Sequence, residues 1–103
     1  MAKPYLIGKL DDLPDGEGRA FQAGRTTVAI FRVKNEVFAI NNRCIHKGAS
    51  MCEGDLTDGG KVVRCPWHNW AFDLASGEHC FDSHEKLRTY EVKVEGGDVI
   101  LYA

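Results

Sequence analysis

Two cysteines and two histidines arrive in two short boxes, Cys44-Ile45-His46 and Cys65-Pro66-Trp67-His68, with eighteen residues between them. Each box supplies one thiol and one imidazole. A thiolate is a soft, charged ligand and a neutral imidazole a borderline one, so the set suits a thiophilic metal centre. Zinc fingers usually pair like with like, Cys-x(2–4)-Cys followed by His-x(3–5)-His, and this spacing does not. On opposed loops, each box can give its cysteine to one iron and its histidine to a second, the ligand set of a mixed 2Fe–2S centre. One-electron transfer is the natural work of such a centre, because nothing in it binds or activates a substrate. A structural zinc on the same side chains, or a ligand-free docking module, is the competing reading.

The elements that must position these boxes read as short strands. Residues 5–10, Tyr-Leu-Ile-Gly-Lys-Leu, form a first strand, followed by the turn-rich acidic loop 11–18. That loop could meet a basic partner or be ordinary solvated surface. Residues 26–33 are β-branched and aromatic, and Lys34-Asn35 separates them from 36–40, which predicts a hairpin with a two-residue turn. The hairpin delivers the chain to the first box. Gly48, Gly54, Gly59 and Gly60 suit a compact loop and a turn, and a short strand at 61–64 enters the second box. Residues 70–74 leave it as a strand, and 75–78 turn. Tyr90, Val92 and Val94 then alternate with Glu91, Lys93 and Glu95, Gly96-Gly97 turns, and 98–102 return. No stretch reads as a helix, a repeat or a linker. Many short strands with glycine turns predict an all-β antiparallel sandwich or barrel.

The chain's 103 residues make one domain, 1–103, large enough to bury a core. A hydrophobic content of 44% and a charged content of 27% are ordinary for a globular protein. The formal net charge of −2 argues against nucleic acid as the partner. No run approaches membrane-spanning length and the N-terminus has no apolar leader, so a cytoplasmic protein without a membrane partner is expected. After His68 only His79 and His84 remain, too little for a second domain with a mononuclear iron. A carrier is therefore expected rather than a catalyst acting alone.

The run Cys44-x-His46-x-Gly48 with Cys65-Pro66-x-His68 resembles the Rieske iron–sulfur proteins, over nearly the whole chain. Within that family, 28–32, 37–40, 65–70 and 88–94 look most like the small subunit of NAD(P)H-dependent assimilatory nitrite reductases. They look only slightly less like the stand-alone ferredoxins that feed ring-hydroxylating oxygenases. The resemblance implies a Rieske-type base with a small cluster-binding subdomain at about 43–74. It implies one 2Fe–2S cluster per chain, with Cys44 and Cys65 on the inner iron and His46 and His68 on the outer one. It also implies the partners: a flavoprotein reductase or a reductase large subunit, and/or a terminal oxygenase.

The donor set has an electrostatic consequence. The oxidised cluster with two thiolates and two imidazoles is neutral and the reduced one singly negative, so adding an electron costs less than in an all-cysteine cluster. Oxidation also places more positive charge beside the imidazoles, which favours loss of their outer protons. By the resemblance, Ala49 and Trp67 occupy positions where high-potential members carry a disulfide. Trp70 and Phe72 stand where a Ser and a Tyr would hydrogen-bond the sulfurs. Hydrogen bonds to sulfur favour the electron-rich state, so their loss predicts a potential near the low end of a span from about −150 to +300 mV.

Several residues near the boxes have plainer roles available. Trp67, Trp70 and Phe72 suit packing and exclusion of water better than an electron relay. Pro66 sets the turn of the second box. Cys52 and Cys80 are read as free thiols, and His79 and His84 as part of a surface loop at 78–85. By the resemblance, Cys52 falls between the boxes where the family often has Ser. Arg43, Lys47, Lys61 and Arg64 border the boxes and serve either as ordinary surface charge or to steer an acidic partner.

Overall fold

The computed structural model describes residues 3–43, 51–64, 71–78 and 87–103. Among these residues the chain forms nine strands and three single-turn 3₁₀ segments: β1 (Pro4–Lys9), β2 (Gly18–Ala23), β3 (Thr26–Val33), β4 (Glu36–Asn41), β5 (Asp55–Thr57), β6 (Val62–Arg64), β7 (Ala71–Asp73), β8 (Thr89–Glu95) and β9 (Asp98–Tyr102). The pairings are antiparallel and make a six-stranded sheet, β1-β9-β8-β4-β3-β2, and a three-stranded sheet, β5-β6-β7. The fold is all-β and antiparallel, as the strand and turn pattern predicts.

β3 explains how the two sheets share one interior. Successive side chains of a strand point to opposite faces, and Val28, Ala29, Ile30 and Phe31 are all buried. Val28 and Ile30 enter a cluster with Leu13, Ala23, Ala39, Val99 and Leu101, inside the curl of the large sheet. Ala29 and Phe31 enter the other cluster with Ile40, Met51, Val63, Phe72, Leu74 and Leu87, between the two sheets. A continuous apolar run is what a strand covered on both faces requires. The curl brings the outermost strands together: the rings of Tyr5 on β1 and Phe21 on β2 meet edge to face, 6.0 Å between centroids.

The β3–β4 hairpin turns at Lys34-Asn35 as expected, with Lys34 in the left-handed region at φ 57°. Lys34 N there donates to Asp15 Oδ1 over 2.8 Å. The acidic loop is also tied down from β3. Arg32 Nη1 donates to the carbonyls of Leu10 (3.1 Å) and Leu13 (2.9 Å), and Arg32 Nε to that of Lys34 (2.7 Å).

Two strands form where the sequence reading has none. β2 carries one large apolar residue, Phe21, between exposed neighbours, because an edge strand buries little. β5 is three residues long, and its pattern cannot be told from a loop. Val94 continues the alternation of β8 but is 38% exposed, because the strand runs past the edge of the core.

Candidate metal centre

Cys44 and His46, Cys65 and His68 lie outside the described residues, as do Lys47, Gly48, Ala49, Pro66, Trp67, Trp70, His79, Cys80 and His84. The roots of both ligand-bearing segments are described, and they define what holds each box.

Residues 65–70 connect Arg64 to Ala71, which are cross-strand partners in the β6–β7 hairpin. The second box therefore lies in the segment that joins two paired strands, Val62–Arg64 and Ala71–Asp73. Val63 and Phe72, paired across it, are both fully buried in the cluster between the sheets.

Residues 44–50 are closed differently, through Asn41 and Asn42. Asn41 N donates to Arg88 O (2.8 Å) and Asn42 N to Thr27 O (3.0 Å), which fixes the departure against the residue before β8 and against β3. Arg43 N donates to Asn41 Oδ1 over 2.9 Å. The return is held by the same short stretch: Met51 N donates to Asn42 O (2.6 Å) and Cys52 N to Asn42 Oδ1 (2.9 Å). Met51 is fully buried, so the loop comes back to an anchored point.

Gly54 joins the two roots. Its N donates to Met51 O over 2.9 Å. A Cβ there would overlap Arg64 O and lie 3.1 Å from both Met51 O and Val63 Cγ2. The return of the first loop and the departure of the second thus flank one glycine, and only a residue without a side chain lets them come so close. Gly18 makes a similar approach beneath, where a Cβ would stand 2.6 Å from Cys52 O and 2.7 Å from the ring of Phe31.

Residues 79–86 leave from a turn built on Asp73, whose Oδ1 accepts from Ala75 N (3.0 Å) and Ser76 N (2.9 Å). They return at Leu87, whose N donates to Gly77 O over 2.8 Å. Through the Asn41–Arg88 bond this return sits beside the root of the first box. Cys52 is half-buried and free. Burial pushes its thiol pKa up, and the neighbouring carboxylate of Glu53 adds to the effect. Arg43, Lys61 and Arg64 are exposed around the roots. Among the described residues, no three His, Cys, Asp or Glu side chains gather to hold a metal, and no helix is long and apolar enough to cross a membrane.

The donor set and this frame fit a 2Fe–2S cluster. Two thiolates balance the charge of the oxidised core, and the two segments bearing them spring from roots that meet at Gly54. Asn42 is a residue that sequence reading missed, and Gly54, read there as part of a loop and turn, also separates the two roots. An Asn pair just before a ligand box was a usable signal, since Asn side chains often close loops onto nearby backbone.

Comparison with known proteins agrees with the geometry. The model of the Rieske [2Fe-2S] domain matches residues 3–99. The 3-phenylpropionate/cinnamic acid dioxygenase ferredoxin subunit of Escherichia coli K12 is 42% identical over 91 residues, 87% of this chain and 84% of the relative. The ferredoxin of carbazole 1,9a-dioxygenase from Nocardioides aromaticivorans superposes with a TM-score of 0.88 at 28% identity, covering 96% of each chain. A protein described as the small subunit of an NADH-dependent nitrite reductase from Mycobacterium tuberculosis superposes with a TM-score of 0.92 at 26% identity. That match covers 100% of this chain and 96% of the other.

Proposed function

This chain belongs to the Rieske [2Fe-2S] domain family and is an electron carrier with one 2Fe–2S cluster, and from that premise we propose how the cluster is held and which partners it serves. Cys44 and Cys65 hold one iron, and His46 and His68 the other. The convergence of both roots on Gly54 supports this assignment, because segments that leave from neighbouring points are able to reach one binuclear centre. When bound, the cluster takes up and releases one electron at a time. The protein supplies the rest. The thiolates cancel charge, the imidazoles leave an edge toward a partner, and buried Met51, Val63 and Phe72 keep water from the inner side. With no hydroxyl on Phe72, the reduced cluster lacks one stabilising donor, which favours a potential near the low end of the Rieske range. The domain is single, with residues 43–74 as its cluster-binding part.

The carrier we favour is a ferredoxin that accepts electrons from a flavoprotein reductase and delivers them to the terminal oxygenase of an aromatic-ring dioxygenase. The identity to a dioxygenase ferredoxin subunit over most of both chains supports this branch. The second branch, the small subunit of an NAD(P)H nitrite reductase, is supported by the likeness of backbone to such a subunit over the whole chain. In either branch we place the protein in the cytoplasm, where the free Cys52 thiol is kept reduced.

The cluster is tested by iron and acid-labile sulfide assay, visible spectrum, and EPR after dithionite reduction. About two irons, two sulfides and a low average g-value are expected, with Cys44→Ser and His46→Gln each losing the signal. A colourless protein with one zinc would refute the electron-transfer reading. The branches separate on reconstitution with candidate partners. A shuttle runs as a monomer and turns over with reductase and oxygenase at a rate that falls with salt. A reductase subunit co-purifies with its large partner through repeated columns.

A further inference from the structure

We propose that Asn42 is the positioning residue of the first ligand loop, setting where Cys44 and His46 present themselves to the cluster. The proposal rests on the ligand assignment above. Asn42 stands two residues before Cys44 and touches both ends of the loop. Its backbone N–H is bound to Thr27 O of β3, which holds the departure (3.0 Å). Its carbonyl accepts from Met51 N (2.6 Å) and its side-chain Oδ1 from Cys52 N (2.9 Å), which hold the return. One residue therefore ties together the points from which 44–50 leave and to which they return.

The side-chain bond is the part of this clamp that sequence can change. Cys52 N lies in a partly buried place, and a backbone donor there that loses its acceptor favours another local conformation. Met51 cannot follow freely, because its side chain is fully buried in the cluster between the sheets. The displacement is then passed into residues 44–50. Metal ligands tolerate little displacement, and loss of an outer hydrogen-bond partner typically weakens metal binding about 10–100-fold. An amide or carboxylate of this length places an oxygen at the required distance; a methyl group supplies none.

The test compares Asn42→Ala and Asn42→Asp with a remote core variant, Val99→Ala. Val99 is fully buried in a cluster that contains none of Asn42, Met51, Cys52, Val63 and Phe72, so this variant reports general softening. Three readouts apply to the reconstituted proteins: bleaching of the visible band under chelator, the EPR line shape after reduction, and urea unfolding of the apo form. We expect Asn42→Ala to bleach at least about tenfold faster than wild type with broadened EPR lines. Asn42→Asp, which keeps Oδ1, should bleach within about twofold of wild type. Val99→Ala should unfold more easily and yet bleach at the wild-type rate. Wild-type bleaching and line shape in Asn42→Ala would overturn the proposal. So would equally fast bleaching in Val99→Ala, or in Asn42→Asp. Should the alanine variant not fold, Asn42→Gln, which moves the oxygen by one methylene, is expected to bleach faster too, and a wild-type rate there overturns the proposal. A cluster retained in full by Cys44→Ser would instead mean that the ligand assignment itself had failed.

Discussion

A methyl group at position 54 has nowhere to go. Arg64 O occupies the place it would take, and Met51 O and Val63 Cγ2 stand 3.1 Å away. These neighbours are backbone and a packed core side chain, so none can swing aside. Gly54→Ala should therefore cost about 1–3 kcal/mol of stability in the apo protein, the usual range for overpacking, measured by urea unfolding. It should also pry the two ligand roots apart, so cluster occupancy after reconstitution should fall further than stability alone explains. Gly59→Ala is the natural comparison, because a Cβ there meets nothing within 4 Å and only its left-handed φ of 69° resists substitution. It should leave occupancy unchanged. Asn42 acts at the same scale and by the same logic, with a hydrogen bond in place of a close approach.

Among the strands, β7 offers the most direct test of redox tuning. It is three residues long, carries the second box back into the core, and places Phe72 at full burial opposite Val63. A hydroxyl at this position would favour the electron-rich cluster. Phe72→Tyr should raise the midpoint potential, by about 59 mV for each tenfold gain in preference for the reduced form. Protein-film voltammetry reads the shift directly. An unchanged potential, with stability lowered by an unsatisfied buried hydroxyl, would mean that this position does not face the sulfurs. Most of the other strands were legible from their sequence. β3, β4, β8 and β9 are long enough for alternation to show and apolar enough to require burial. β2 and β5 were not legible. One covers the core with a single aromatic ring, and the other pairs only because β6 lies beside it.

At the scale of the whole molecule, two solvated pairs and a half-buried thiol among the described residues contribute to the response to alkali. Lys9 is raised by its hydrogen bond to Asp98, 3.0 Å away, and Lys93 by its hydrogen bond to Glu91 at 3.3 Å. Cys52 is raised by burial and then by Glu53. A group whose folded pKa lies above its unfolded value contributes stability that is fully present below the unfolded pKa. That contribution is lost as pH rises through the folded one. Cys52 acts first, from about pH 9.0, and the lysines follow above 10.5. The urea midpoint of the apo protein should therefore decline above pH 9. The difference between wild type and Cys52→Ser should be flat below that pH and change above it. The lysine pairs are fully solvated and screened by salt, so their share should fade in concentrated salt while that of Cys52 persists.

The sequence by itself determined the chemistry of this protein. Two Cys/His boxes specify their donor set wherever the chain places them, because ligand softness and charge belong to the side chains themselves. It also determined the all-β class, since period-two alternation and glycine turns are local signals. Only the tertiary structure decided how the boxes are held. The Asn42–Cys52 bond, the meeting of Met51 and Arg64 at Gly54, and the approach of Cys52 to Gly18 each join segments from different parts of the chain. No periodicity announces such contacts. Each depends on a backbone atom of one segment lying beside another in the packed fold.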